Sequence, residues 1–290
     1  MSPRPPAPRS SGSSRPGRPG GAARSTRPPR PAGARTRPEH RAAPEGLGGD
    51  QVEGRQAVLE LLAANRRTTR KILIAEAQES ADILDKIENY ARGRRIPVEF
   101  VSWARLDKEA RTEGHQGVMA LAHKLPSVAL DDVMTGTDPF LLVCDGVTDP
   151  RNLGAMLRSA DGAGVSGIVL PRHRTARITP AVTKTAVGAI EYLTFAEVGG
   201  VPSAIDRLNK AGFLTVGLAG ESKMSLYDLD LASTPIALVV GGEQDGLSAL
   251  TRKRCGAVVS IPQLGKISSL NAGVASSIAM FEAARQRKLR

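Results

Sequence analysis

IPQLGKISSLNAGVASSIAMFEAARQRKLR, residues 261–290, ends the chain and guides the interpretation of everything before it. The apolar run 258–261 predicts a buried strand that stops at Pro262, and a glycine-containing turn then leads through Ser268 and Ser269 into a helix. Either serine can cap that helix. Its apolar residues recur at helical spacing on one face: Leu270, Val274, Ile278 and Phe281. Free N–H and C=O groups at such a junction can hold a small polar ligand, although an ordinary strand-to-helix connection has the same pattern.

The preceding 120 residues repeat this alternation of strands and helices. Strands are predicted for FLLVCDGV (140–147), GIVLP (167–171), LTFAEV (193–198), FLTVGLAG (213–220), PIALVVGGE (235–243) and AVVSI (257–261). Helices between them predict an α/β domain with a mostly parallel sheet covered on both faces. In such sheets ligands lie outside the carboxyl ends of the strands, so we expect a site at the turns after Val147, Leu218, Val240 and Ile261.

Unusual residues occupy those turns. Asp149 can cap the helix that begins at Pro150, and Ser248 can cap the helix after the sequence GGEQDGLS. The first of these helices carries Asn152 and Arg158, which are six positions apart and do not share a helical face. A solvated arginine is the ordinary explanation of Arg158, and a shared site would need help from the turn.

A smaller α/β sandwich is predicted for residues 51–124, followed by a linker at 125–138 and the larger domain at 139–290. Its elements are the helices 54–65, 80–93 and 102–114, with Ser102 as a cap, and the strands 71–75, 97–101 and 117–123. His115 and Gln116 lie in a loop, where we expect them to shape a turn or contact RNA.

The first 50 residues differ in composition from the rest. They hold ten Arg, no Lys, eleven Pro and three acidic residues, which is +7 of the total formal charge of +11. So little apolar surface predicts a disordered arm at 1–50. Binding to a polyanion such as RNA and a solubilising tail remain equal alternatives, since no aromatic residue in the arm can stack on bases.

Several classes are excluded by what the sequence lacks. No apolar run is long enough for a membrane helix and no secretory signal follows the arginines, which predicts a cytoplasmic chain. Cys144 and Cys255 are isolated, so we expect reduced core thiols and no metal. GxGxxG, GxxxxGK[ST] and GxSxG patterns are missing, which argues against a dehydrogenase, a P-loop NTPase and an α/β-hydrolase.

Three motifs taken together resemble one family. NLGAMLRSADGAGVSGIVLP (152–171), ALVVGGEQDGLS (237–248) and residues 261–287 are similar to the ordered motifs of the SpoU/TrmH branch of the SPOUT RNA 2′-O-methyltransferases. GRQAVLELL (54–62) and GHQGVMA (114–120) resemble the L30e-like RNA-binding domain of its 23S rRNA (guanosine-2′-O-) type. The resemblance covers residues 52–290 and excludes the arm.

This resemblance implies a deep trefoil knot in the catalytic domain, a homodimer formed through that domain, and S-adenosyl-L-methionine as cofactor without a metal. On the matching positions, cofactor binding would fall to Gly241, Ile261 and Leu270. The catalytic and substrate side would comprise Asn152, Arg158, Glu243, Ser269 and Asn271. Gly273 departs from the family, where many relatives have serine, so a hydroxyl function at that position is in doubt.

The resemblance predicts methyl transfer to the ribose 2′-hydroxyl of a guanosine in 23S rRNA. Because a guanidinium is an unlikely free base, we expect Arg158 to clamp a phosphate and stabilise the developing alkoxide. Glu243 could hold Asn152 or Arg158, or act through water. Three alternatives stay open: a tRNA ribose methyltransferase, a thiostrepton-resistance-type adenosine 2′-O-methyltransferase, and a non-catalytic RNA-binding assembly factor.

Overall fold

A four-stranded sheet with three helices forms the first part of the structure, a computed structural model that describes residues 46–76, 78, 81–232, 234–267 and 269–288. Its strands are β1 (Gln51–Glu53), β2 (Thr69–Ala75), β3 (Val98–Val101) and β4 (Val118–Ala122), and its helices are α1 (Arg55–Ala64), α2 (Asp82–Gly93) and α3 (Trp103–Glu109). The order is β1-β4-β2-β3, with only β2 and β3 parallel. The predicted arm over residues 1–45 lies outside the described residues, as does Ser268.

The small sheet buries the apolar face of α1, the helix predicted at 54–65, since Val58, Leu61 and Leu62 all lie in the core. Ser102 caps α3 as expected, accepting a hydrogen bond from the Arg105 N–H. The predicted continuation of α3 to residue 114 is wrong. The buried carboxylate of Glu53 on the unpredicted β1 accepts hydrogen bonds from the N–H groups of residues 111 and 112, which holds them in a turn.

The larger sheet has six strands: β5 (Phe140–Asp145), β6 (Gly167–Pro171), β7 (Phe195–Val198), β8 (Leu214–Leu218), β9 (Ile236–Gly241) and β10 (Ala257–Val259). Their order is β10-β8-β9-β5-β6-β7, and every pairing is parallel, which confirms the predicted sheet type. The helices are α4 (Leu130–Val133), α5 (Pro150–Gly162), α6 (Pro180–Thr185), α7 (Val201–Lys210), α8 (Ala249–Arg254) and α9 (Ala272–Lys288). Short 3₁₀ turns occupy Ala189–Glu191 and Leu226–Asp228.

Both faces of this sheet are covered, as the continuous apolar strands require. Along β5, Leu142 and Cys144 face a core shared with α5, α6 and α9, whereas Leu141 and Val143 face a core shared with α4 and α7. Side chains of successive strand residues point to opposite faces, so each strand contributes to two cores. None of the helices in the described residues is long and apolar enough to cross a membrane.

Two helix predictions need correction. The helix expected between the predicted strands 167–171 and 193–198 breaks after Thr185, because Val187 and Gly188 both adopt positive φ values, of 52° and 84°. The terminal helix begins at Ala272, not at Ser268 or Ser269, and Asn271 accepts a hydrogen bond from the Val274 N–H, at 3.2 Å.

The terminal helix α9 also turns a different face to the core. Its buried residues are mostly small: Gly273, Ser276, Ala279, Met280 and Ala283. Small side chains allow close packing on α5, where the Ser277 hydroxyl lies 2.8 Å from that of Ser159. The predicted stripe points outward, leaving Val274 49% and Phe281 51% exposed.

Residues 46–50, which we had assigned to the arm, belong to the folded core. The Leu47 N–H donates to the carbonyl oxygen of Leu125, and the Gly49 N–H donates to that of Ile178. Leu47 is only 4% exposed. A single leucine among glycines gives no periodic signal, so the sequence did not reveal this segment. The expected linker is packed as well, because Leu130 and Val133 of α4 lie against the large sheet.

Candidate active site

Loops after β5 and β9 meet because these strands are neighbours in the sheet, with Asp145 opposite Gly241. The Asp145 carboxylate accepts a hydrogen bond of 2.9 Å from the Ser248 N–H, which ties the two loops together. Ser248 also caps α8 as predicted, accepting from the Thr251 N–H. Asp149 caps α5 in the same way, accepting from the Arg151 N–H at 2.8 Å. The strand pairing and the two caps therefore fix both ends of each loop.

Two glycines let the loop after β9 fold back on itself. A Cβ atom on Gly241 would lie 2.1 Å from the carbonyl carbon of Gly246, and one on Gly242 would lie 2.4 Å from the carbonyl oxygen of Gly146. The Gly246 N–H donates to the Gly242 oxygen at 3.0 Å, which closes the turn. These positions therefore exclude any side chain, and the backbone of the loop forms the wall of a cavity.

That cavity, which we call cavity A, has a volume of about 350 Å³. Gly241, Ile261 and Leu270, the three residues expected to bind cofactor, all line it, together with Leu218, Val240 and Ser269. Its wall combines apolar side chains with glycine main chain, and its charged groups are the carboxylates of Glu221, Glu243 and Asp245 and the guanidinium of Arg252, which pairs with Glu221. This surface fits a ligand that has an apolar ring and a positive charge, as S-adenosylmethionine does.

A polar cluster stands at the edge of cavity A. The Asn271 side-chain amide donates to the Asn152 oxygen, at 2.9 Å, and also to the Glu243 carboxylate. Asn152 is 7% exposed, so its amide is fixed by burial, whereas Glu243 is open to solvent. Three of the five residues predicted for the catalytic side, from three different loops or helices, thus form one hydrogen-bonded group. Glu243 contacts Asn271, whereas we had considered Asn152 or Arg158 as its partner.

A second and larger cavity, cavity B, lies on the other side of this cluster. Its volume is about 1140 Å³, and its lining includes Asn152, Glu243, His173 and Arg174. Cavities A and B share Ala272 and the loop 242–246. A group bound in one cavity can therefore approach a group bound in the other beside the Asn152–Asn271–Glu243 cluster.

Arg158 is not brought into this cluster within one chain. It is exposed and lines neither cavity, and its guanidinium makes no hydrogen bond or ion pair with another described residue. Asn152 and Arg158 leave α5 in different directions, as their spacing predicted. Ser269 lines cavity A and is exposed, without a hydrogen bond to the described part of the chain.

Gly273 explains the position that departs from the family pattern. It is buried where α9 crosses α5, and a Cβ atom there would lie 3.1 Å from the Asn271 amide oxygen and 3.5 Å from the Ala155 Cβ. A Cβ atom at this position would therefore press on the Asn271 amide unless that side chain shifted by a few tenths of an ångström.

The two cysteines adjoin the site without the properties of nucleophiles. Burial raises the pKa of the Cys144 thiol to about 12, and the neighbouring Asp145 charge adds to that rise. Burial likewise raises the pKa of Cys255 to about 11. Both sulfurs are free of disulfides. Among the described residues, no group of three or more His, Cys, Asp or Glu side chains is arranged to hold a metal ion.

Sequence reasoning missed Asp145 and the lining of cavity B. Asp145 was placed inside a predicted strand, although its position at the carboxyl end of a parallel strand could have marked it. His173 and Arg174 follow β6, in a turn that we had not examined.

Comparisons with known proteins agree with this geometry. The profile of the SpoU rRNA Methylase family matches residues 139–281, and that of the RNA 2′-O ribose methyltransferase substrate-binding domain matches residues 51–128. A 23S rRNA (guanosine-2′-O-)-methyltransferase RlmB from Shewanella oneidensis is 38% identical, over 82% of this chain and 98% of its own length. The corresponding protein of Pseudomonas putida is 36% identical, over 83% and 98%.

Solved structures have the same fold. The AdoMet-bound rRNA methyltransferase of Sinorhizobium meliloti superposes with a TM-score of 0.69 at 25% sequence identity. The match covers 81% of this chain and 86% of that chain.

Proposed function

Because the chain belongs to the SpoU rRNA methylase family, we propose that it transfers a methyl group from S-adenosylmethionine to the ribose 2′-hydroxyl of a guanosine in 23S rRNA. The observation that carries this function is the Asn152–Asn271–Glu243 cluster between two cavities that share a wall. Cavity A takes the cofactor and cavity B takes the nucleotide. Such an enzyme acts in the cytoplasm, where ribosomal RNA is found.

Gly241, Ile261 and Leu270 hold the cofactor in this proposal, chiefly through main-chain groups. S-adenosylmethionine supplies a methyl group that is already activated by a sulfonium, so the enzyme must place the 2′-oxygen in line with it and remove one proton. The Asn152 amide N–H group orients the hydroxyl, and Asn271 holds Asn152 and Glu243 in place. Glu243 is the one carboxylate hydrogen-bonded to this pair, so it accepts the hydroxyl proton directly or through water.

Arg158 serves as a phosphate clamp supplied by a second copy of the chain. The exposed stripe of α9 supports a homodimer, because Val274 and Phe281 are large apolar residues on the helix that packs against the Arg158 helix. In a dimer with two-fold symmetry, the exposed stripe of one copy would pack against the same stripe of its partner. Arg158 of one copy would then reach the Asn152–Asn271–Glu243 cluster of the other. Ser269 lies where it can contact the cofactor and the ribose.

The domain with the larger sheet also contains a trefoil knot in this proposal. The support is the path of the chain, which leaves β10 at the sheet edge and returns to pack α9 on α5. The Gln286 amide donates to the Leu229 oxygen and accepts from the Leu231 N–H, so the β8–β9 connection runs along α9. A crystal structure in which residues 261–272 do not thread through this connection would reject the knot.

RNA binding and methyl transfer are assigned to the two different sheets and their helices. Residues 51–124 bind the RNA, and residues 139–290 carry the cofactor and the chemistry. This assignment leaves residues 125–138 as packed connecting structure.

The function is tested by methylation of unmodified 23S rRNA with radiolabelled S-adenosylmethionine, followed by mapping of the modified nucleotide. We expect one 2′-O-methylguanosine. Label in a tRNA or on an adenosine would favour the corresponding alternative enzymes. Failure to bind S-adenosylmethionine in equilibrium dialysis would favour a non-catalytic assembly factor.

A further inference from the structure

A cavity of about 520 Å³ lies between the small and the large sheet, and it shares no lining residue with cavities A and B. We call it the junction cleft. Its lining includes three cationic side chains, on Arg111, Lys124 and Arg177, and the carboxylate of Asp50. Nothing in the proposed methyl transfer uses these residues.

The floor of the junction cleft is the segment Gly46–Asp50, which runs between two other extended segments. The Leu125 N–H donates to the Gly48 oxygen, and the Gly49 N–H donates to the Ile178 oxygen. Leu125 and Ile178 are buried, so the alternating residues Lys124 and Arg177 turn to the open side. Glycine keeps that space free, because a Cβ atom on Gly46 would lie 2.7 Å from the Lys124 Cβ.

Arg111 is held at the opposite wall by contacts that leave its guanidinium free. Its N–H donates to the buried Glu53 carboxylate at 2.7 Å, and the Lys184 ammonium donates to the Glu113 oxygen of the same turn. The turn is therefore clamped from both sheets. The Arg111 side chain is exposed and has no ion pair in the described part of the chain.

The charge and hydrogen-bonding groups of the cleft match a phosphate. Lys124, like Arg111, has no ion pair among the described residues, and the nearest carboxylate oxygen of Glu197 is 3.8 Å from the Arg177 guanidinium. Thr179 also lines the cleft, and its hydroxyl is buried without a hydrogen-bond partner in the described structure. A buried unpaired hydroxyl is costly unless a ligand satisfies it.

We propose that the junction cleft binds a backbone phosphate of the RNA substrate, an inference that rests on the proposed function. Arg111, Lys124 and Arg177 neutralise the phosphate, and the Thr179 hydroxyl donates to one of its oxygens. An RNA phosphate matches the cationic cleft better than residues 1–45 do, because those residues contain ten arginines and two glutamates. No aromatic residue lines the cleft, so the contact positions the RNA and does not read its sequence.

The test compares RNA binding by the full-length Arg111→Ala/Lys124→Ala variant and by the wild type, using an unmodified 23S rRNA transcript at several salt concentrations. We expect the Kd to rise at least about tenfold and the slope of log K against log salt to fall by about 2. The matched control is Lys210→Ala/Lys253→Ala on α7 and α8, which removes two exposed cations that line none of the three cavities and lie outside the domain proposed to bind RNA. S-adenosylmethionine affinity should not change in either variant.

A second variant, Thr179→Val, removes the hydroxyl and keeps the side-chain shape. It should lower RNA affinity several-fold without lowering the melting temperature, because the hydroxyl has no partner to lose in the free protein. Unchanged Kd and salt slope in the double variant, or equal losses in the control, would overturn the proposal. Binding of inorganic phosphate in the cleft without any effect on RNA binding would also overturn the proposal. If the wild type methylates the transcript in the same assay, such results reject the junction cleft and leave the proposed function standing.

Discussion

Asn271 performs two tasks that can be separated by substitution. Its amide oxygen caps α9, and its amide nitrogen joins Asn152 to Glu243. Serine can still cap the helix but has no second donor to bridge those groups, so Asn271→Ser should leave the melting temperature nearly unchanged. We expect its kcat to fall by about 10² because the bridge that fixes Asn152 and Glu243 beside the reacting oxygen is lost, with S-adenosylmethionine affinity retained.

Asn271→Ala supplies the comparison for that experiment. It should lose the same activity and also about 1 kcal/mol of stability, because the cap is removed as well. Methylation kinetics and thermal unfolding of both variants give the two quantities. Full activity of Asn271→Ser would show that the bridge is not part of the catalytic arrangement.

The cysteine thiols should resist alkylation in the native protein. The thiolate is the reactive form, and burial raises the pKa of Cys144 to about 12 and that of Cys255 to about 11. Both groups are therefore neutral from pH 7 to 9, and reactivity should appear only as the pH approaches these values. Iodoacetamide labelling followed by mass spectrometry should give little product at pH 8 and complete labelling in urea. Fast native labelling of Cys255 would contradict this expectation.

The identity of a site residue could be predicted from the sequence where a motif contained it. The hydrogen-bond partners of that residue could not be predicted. Asn152, Glu243 and Asn271 were named from their motifs, but 119 positions separate the first and last of these residues, and only the folded sheet shows that they hydrogen-bond. Arg158 was named by the same reasoning and lies apart from them in one chain. Its role in catalysis remains a prediction.

The loop after β9 is the element whose shape most restricts the site. Gly241→Ala would force the loop away from β9, because the new methyl group would overlap the backbone at Gly246. We expect S-adenosylmethionine binding to fall more than tenfold and stability to fall by about 1–3 kcal/mol, measured by calorimetry and urea unfolding.

Gly265→Ala is the matched control for that variant. Gly265 lies in the loop after β10, and no atom is within 4 Å of a Cβ placed there. It should bind cofactor as the wild type does. Equal losses of S-adenosylmethionine affinity in the two variants would mean that the close packing at Gly241 does not shape cavity A.

Elements with strong periodicity were predictable, and elements set by distant contacts were not. The parallel strands and the caps at Ser102, Asp149 and Ser248 followed from local pattern. The orientation of α9 did not, because its small residues gain close packing on α5 that outweighs the hydrophobic preference of its larger ones. Pattern counting assumes that the largest apolar face is the buried one.

At the scale of the whole molecule, a buried ion pair holds the small sheet on the large one. Arg67, just before β2, makes two hydrogen bonds to the Glu191 carboxylate, and the two side chains are 3% and 1% exposed. Glu191→Ala would leave the Arg67 charge buried without a counter-charge, since its other hydrogen bonds go to the neutral carbonyl oxygens of Gly49 and His123, so unfolding stability should fall by about 3–5 kcal/mol.

Urea denaturation measures that loss. Asp131→Ala is the control, because Asp131 pairs with Arg207 where both side chains are largely exposed, 67% and 50%, and its loss should cost less than about 1 kcal/mol. If the two variants unfold at the same urea concentration, the interface between the sheets does not depend on the buried pair.

The proposed homodimer makes a prediction about how Arg158 acts. Arg158 is remote from the polar cluster of its own chain, so in the proposed homodimer each active site combines Glu243 of one protomer with Arg158 of the other. Arg158→Ala and Glu243→Gln should each be inactive as homodimers.

A heterodimer of the two variants, co-expressed with different affinity tags and purified on both, would contain one complete site and one doubly defective site. Its specific activity should therefore be about half that of the wild type, as two-fold symmetry requires. If Arg158 instead acts within its own chain, both sites of the heterodimer stay defective and no activity returns.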